Sequence, residues 1–117
     1  MDILRFTMPY PPSINHYYLR TSSGVIIAPR GKKYRHDVCL LLSKYRGICD
    51  NRRLGMTINV FPPDKRKRDI DNILKVSIDS MQYAKVFKDD NQIDMLSVIR
   101  RDVVKNGELA VWIYECS

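Results

Sequence analysis

Asp69 and Asp71 stand two residues apart in Arg68-Asp69-Ile70-Asp71-Asn72, and Asp89 and Asp90 are adjacent in Lys88-Asp89-Asp90-Asn91. Carboxylates are hard oxygen donors suited to Mg²⁺ or Mn²⁺. Two such ions about 4 Å apart can activate water and stabilise the leaving oxygen of a phosphodiester during in-line displacement. The competing reading of the first pair is helix capping, because amides at a helix start lack partners and the dipole favours negative charge there. A single cap accounts for one aspartate more readily than for two. If the chain before the helix is extended, side chains two apart point the same way and can converge on a cation.

Asp71, Lys75 and Asp79 recur at intervals of four and so share one helix face. This is either an ion-pair stripe worth tenths of a kcal/mol or a means of bringing Lys75 to a phosphate, where its cation offsets developing negative charge. Asp79, one turn deeper, serves on the second reading to hold Lys75 in position. Asp89 and Asp90 sit in a polar loop that can deliver a further carboxylate to a site at the helix start. The unbroken run Lys65-Arg66-Lys67-Arg68 lies beside these acids. Phosphodiester cleavage requires both a cation site and contacts to a polyanionic backbone.

The whole composition points the same way. Twenty Lys and Arg against 13 Asp and Glu give a formal charge of +7, which makes a polyanion the expected partner. The apolar run Val38 to Leu42 falls far short of the roughly 20 residues that span a bilayer, so no membrane segment is expected. Cys39, Cys49 and Cys116 are odd in number and free of metal-ligand spacing. With no basic leader and apolar run at the N-terminus, a reducing cytoplasm is the expected compartment. His16, Tyr17 and Tyr18 can either pack against an opened base or belong to ordinary packing. His36 reads as a solvated helix residue.

The elements that position these residues follow from periodicity. Residues 1–117 form one domain, since the chain is too short for a catalytic and a separate binding module. Ile3 to Met8 alternate as a half-buried strand, and Tyr10 to Tyr18 read as an ordered loop. Tyr18 to Arg20 and Val25 to Ala28 can pair across Ser23-Gly24. Tyr34, Val38, Leu41, Leu42 and Tyr45 predict a helix over Lys32 to Arg46, stopped by Gly47. Met56, Ile58 and Val60 predict a strand before Pro62-Pro63. Ile70, Ile73, Leu74, Ile78 and Met81 predict a second helix starting near Asp69 to Asn72. Ile93 to Arg101 and Leu109 to Tyr114 read as strands joined in a hairpin around Asn106-Gly107. Trp112 and Tyr114 are assigned to core or dimer packing. The class is α+β, a mixed β-sheet with two main helices.

Pro11-Pro12-Ser13-Ile14-Asn15, then Asp69-Ile70-Asp71-Asn72-Ile73-Leu74-Lys75 with Asp79, then Asp89-Asp90-Asn91-Gln92-Ile93 resemble, in order and separation, the RusA-type Holliday-junction resolvases of bacteria and their prophages. The resemblance implies a RusA-like domain and essential acids at Asp69, Asp71 and Asp90, with Lys75 as the important lysine. Those three acids would ligate Mg²⁺, with Mn²⁺ as a substitute. It selects Asp90 over Asp89, which spacing does not. It assigns junction binding to Lys65, Arg66, Lys67 and Arg68, with Arg68 foremost. It further implies a homodimer that nicks two opposed strands of a four-way junction, leaving 5′-phosphate ends, in DNA recombination and repair within a bacterial or phage-infected cell. The reading from another class is a non-catalytic protein that recognises branched DNA, in which the acids only cap and solvate.

Overall fold

Strict alternation sets the sheet. In β4 (Leu54–Phe61) Leu54, Met56, Ile58 and Val60 are buried, and their neighbours in β6 (Glu108–Glu115) are Ile113, Val111 and Leu109, buried as well. The computed structural model describes residues 1–116. β1 (Asp2–Met8) adds Leu4 and Met8 to the same face by pairing antiparallel with β6, while β5 (Ile93–Arg100) lies parallel to β4 on the other side. The order β1-β6-β4-β5 makes a mixed four-stranded sheet. Each fully buried aliphatic side chain on it contributes about 1.5–3 kcal/mol.

Two helices cover this face. α2 (Pro29–Leu42) buries Tyr34, Val38 and Leu42, and α3 (Leu74–Tyr83) buries Val76, Ser77, Ser80 and Met81. The two buried serines cost little, because each hydroxyl donates back to a carbonyl one turn earlier, Ser77 to Ile73 and Ser80 to Val76. The fold is therefore the α+β class expected. α2 begins three residues earlier than its apolar spacing suggests, since Pro29 is compatible with a first helical turn. It tightens into a 3-10 turn at Ser43–Tyr45 before Gly47 leaves with φ +81°.

The tract Tyr10 to Tyr18 is not all loop. It contains a one-turn helix, α1 (Ile14–Tyr17), that leads into the hairpin of β2 (Tyr18–Thr21) and β3 (Gly24–Ile27). The first turn of α2 lies directly on this junction. A Cβ at Gly31 would stand 2.5 Å from the Tyr17 carbonyl oxygen, so only glycine admits that approach. Tyr17 is fully buried as a result.

One expectation fails. β5 and β6 form no hairpin with each other, because β4 lies between them. The turn itself is present: Asn106 and Gly107 both have positive φ, and the Gly107 amide donates to the Val104 carbonyl at 2.8 Å. Before that turn, however, the Arg101 and Val104 amides donate to the Val60 and Pro62 carbonyls. The chain thus follows β4 beyond its end and returns on β4's far side. Trp112 and Tyr114 point to the face opposite the helices with ring centres 4.7 Å apart, while Val111 and Ile113 enter the core.

Candidate active site and nucleic-acid groove

The second helix starts as a 3-10 turn, Ile70–Ile73, and continues as α3. Asp69 stands at its N-cap with extended backbone (φ −73°, ψ 135°), yet its side chain makes no capping hydrogen bond. The local reading of Asp69 as a cap is therefore not what the side chain does. Asp71 lies in the first turn, and both aspartates are exposed. Neither forms an ion pair among the described residues.

The loop before β5 separates its two acids by geometry. The Asp89 carboxylate accepts from the Asn91 amide at 2.9 Å and caps the 3-10 turn Asp90–Gln92. Gln92 completes the cap: its Oε1 accepts from the Lys88 and Asp89 amides, and its Nε2 donates to the Cys49 and Arg52 carbonyls. A buried glutamine thus ties the loop to the chain before β4. The Asp90 amide donates to Gln82 Oε1 of α3, which leaves the exposed Asp90 carboxylate free of the cap. Asp89 is structural and Asp90 is presented. The D-x-x-Q spacing held this signal, since it is the capping-box pattern.

Asp79 does not hold Lys75. Its carboxylate accepts from the Tyr17 hydroxyl and from Arg35, whose Nη2 lies 2.7 Å away, and Arg35 Nε also donates to the Tyr17 hydroxyl. Arg35 stacks in addition over the Tyr83 ring at 4.6 Å. Burial, reinforced by the hydrogen bond to Asp79, pushes the Tyr17 phenol up to about 12. This network joins α1, α2 and α3, and sequence reasoning missed Arg35, which looked like one solvated base among several. Lys75 is left exposed, without an ion pair among the described residues, its Nζ 5.7 Å from the centre of the Tyr18 ring. It shares an open cleft of about 470 Å³ with Tyr18, Asp79 and Asp90.

The basic run divides in two. Arg68 is held: its Nη1 donates to Asp64 at 2.7 Å, its guanidinium lies 5.8 Å from the Tyr10 ring, and its carbonyl accepts from Arg100. The Arg68 hydrogen bond, followed by that from the Arg66 amide, holds the Asp64 carboxyl at about 2, so the clamp persists throughout the neutral range. Lys65 and Lys67 are exposed and in no ion pair among the described residues. Arg66, Lys67 and Arg68 line an open groove of about 780 Å³ together with Arg30 and Lys33 of α2. A second cleft, of about 540 Å³, joins the run to Asp69.

The fold thus brings Asp90 to Lys75, and Asp69 to the basic run. Among the described residues, no three His, Cys, Asp or Glu side chains are grouped so as to hold a metal ion. The donor chemistry suits a hard divalent cation, because Asp69, Asp71 and Asp90 are exposed carboxylates outside any ion pair. Their mutual placement in the single chain does not gather them into one ligand set. No helix is long and apolar enough to cross a membrane among the described residues.

Exposed carboxylates outside any ion pair among the described residues, together with an open groove lined by arginines and lysines, fit a protein that acts on nucleic acid. The chain belongs to the Endodeoxyribonuclease RusA family, whose model matches residues 9–114. It is 40% identical over 116 residues to the crossover junction endodeoxyribonuclease rusA of Enterobacteria phage HK97, covering 98% of this chain and 97% of that one. The protein of the same name from Enterobacteria phage 82 is 32% identical over 119 residues, and that of Escherichia coli strain K12 is 30% identical over 116, each with the same coverage. The protein is accordingly an endodeoxyribonuclease, as the resemblance of its acidic motifs implied.

Proposed function

We propose that this chain resolves four-way DNA junctions by hydrolysing a phosphodiester in each of two opposed strands, with Asp69, Asp71 and Asp90 as the ligands of Mg²⁺ and Lys75 beside the scissile phosphate. The observation that carries this reading is the different use of neighbouring acids: Asp89 commits its carboxylate to a cap, while Asp90 next to it presents its own beside Lys75. A structural loop needs only the first. Asp69, Asp71 and Asp90 would hold Mg²⁺, or Mn²⁺ with the same oxygen donors, once binding of the DNA or a second chain draws them together, and the ion would supply the positive charge that phosphodiester hydrolysis requires. Lys75, unpaired and exposed, stabilises charge on the phosphate oxygens. Lys65, Arg66 and Lys67 hold the backbone of a DNA arm, and Arg68 keeps its guanidinium at the groove wall through Asp64.

The working unit in this reading is a homodimer, since two equivalent sites are needed for paired nicks. β5 supports it. This edge strand exposes Met95, Leu96 and Ile99, at 58, 42 and 37%. Antiparallel pairing of two β5 strands about Ser97 sets Met95 opposite Ile99 and Leu96 opposite Val98, an apolar self-complementary edge. The test is incubation of the protein with labelled four-way junction, flap and duplex DNA, with Mg²⁺ and with chelator. Paired nicks at the junction centre bearing 5′-phosphates, only with Mg²⁺, are expected. Junction binding without product would instead establish a non-catalytic recognition protein.

A further inference from the structure

The hairpin of β2 and β3 pairs with no strand of the main sheet and exposes Leu19, Val25 and Ile26 at 47, 60 and 49%. Leu19 and Ile26 pair on one face of the hairpin, and Val25 lies on the other. The pairing Tyr18↔Ile27 and Arg20↔Val25 places Tyr18, Arg20 and Val25 on one face. With Ile14, Asn15, Leu19 and Lys75 they line an open cleft of about 690 Å³, which adjoins, through Tyr18 and Lys75, the cleft that holds Asp79 and Asp90. The Tyr18 ring meets that of the fully buried Tyr17 edge-on at 4.8 Å. The cleft therefore combines an aromatic ring and aliphatic side chains with two cations.

That combination selects its occupant. A protein partner for an apolar hairpin needs no cations, and a bare phosphate needs no apolar walls. A nucleotide has both parts, an apolar π-face and an anionic backbone. Bases inside a duplex are stacked on both sides and cannot reach Tyr18, whereas a base at a strand exchange, where the regular duplex is interrupted, can be turned out at lower cost. We propose that this cleft receives one unstacked nucleotide from the branch point of the DNA, its base against Tyr18 and Val25 and its phosphates against Lys75 and Arg20. The inference rests on the junction-resolving reading above and adds how the protein recognises the crossover: the hairpin selects a base available only there and so brings the adjoining phosphate to Lys75.

The experiment uses the full chain in chelator, bound to a four-way junction with thymines at the branch point and in mid-arm, probed by permanganate oxidation. Binding should raise reactivity of the branch-point thymine several-fold and leave the mid-arm thymine unchanged. Tyr18→Ala and Val25→Ser should abolish that rise and weaken junction binding about tenfold, with duplex affinity unaltered, while Tyr18→Phe retains both. Val25 is exposed, so Val25→Ser should melt with the wild-type protein. The proposal falls if the wild-type protein binds the junction and its branch thymines stay protected, or if Tyr18→Ala and Val25→Ser keep full reactivity and affinity. Failure of the wild-type protein to bind any four-way junction removes the functional reading, and this one with it.

Discussion

At the scale of single residues, the fold assigns opposite tasks to neighbours of identical chemistry. Asp89 and Asp90 differ only in which way a 3-10 turn points them. Exchanging Asp89 for Ala should therefore act on stability, with a loss of about 0.5–2 kcal/mol typical of a removed cap, read from the denaturation midpoint. Asp90→Asn should leave the midpoint within about 0.5 kcal/mol, as expected of an exposed site, and abolish junction cleavage. The same holds for Asp71→Asn, which removes the charge of a proposed metal ligand with little change of shape: it should retain junction binding by gel shift and lose cleavage. Cleavage at the wild-type rate by Asp71→Asn would remove it from the site. The two acidic motifs were legible in the sequence because local spacing carries them. That Asp69 leaves its cap unmade was not, since propensity describes the average aspartate at a helix start rather than this one.

At the scale of elements, long-range contacts decide what spacing leaves open. Lys75 and Asp79 line one cleft, as their spacing predicts, whereas Asp71 stands in the 3-10 turn before α3, and Asp79 is taken by Arg35 and Tyr17 from two other helices. The sequence separations, 44 and 62 residues, are why no local rule found them. Likewise Asn106-Gly107 forms the turn its chemistry dictates, yet strand pairing is fixed by β4, some 50 residues earlier in the chain. The network between α1, α2 and α3 lies one turn along α3 from Lys75 without touching it, and its Tyr17 titrates. The Tyr17 phenol is raised to about 12 from an ordinary 10.0, so the folded state favours the neutral form. Its stabilisation is complete below pH 10 and is lost as pH rises from 10 towards 12. Thermal melts across that interval should fall steeply for the wild-type protein and less steeply for Tyr17→Phe; equal slopes would show that Tyr17 does not contribute. Asp79→Ala, which leaves Arg35 without its carboxylate, should cost about 1.5–3 kcal/mol at neutral pH.

At the scale of the whole molecule, charge and edge govern association. The positive surface was plain from composition, but its shape was not: Arg30 and Lys33 of α2, the latter paired with Asp37, line one groove with Arg66 and Lys67, far apart in sequence. A backbone held in such a groove should show a strong dependence on salt, because each neutralised phosphate releases counterions. The slope of log affinity against log salt falls by about 0.9 for every phosphate contact removed from B-form DNA. Lys65→Ala with Lys67→Ala should therefore flatten the slope by about 2, on duplex and junction alike, since backbone contacts carry no structural preference. Arg68→Ala acts through a different route: it frees Asp64 and loses the Tyr10 contact, so affinity should drop together with some stability. Ile99→Lys should leave the groove intact and break the proposed β5 edge, by placing a charge against the partner's Met95. Sedimentation should then report a monomer that still binds DNA with a reduced salt slope and nicks one strand at a time. A variant that remains dimeric, with coupled nicks on both strands, would assign the dimer to another face.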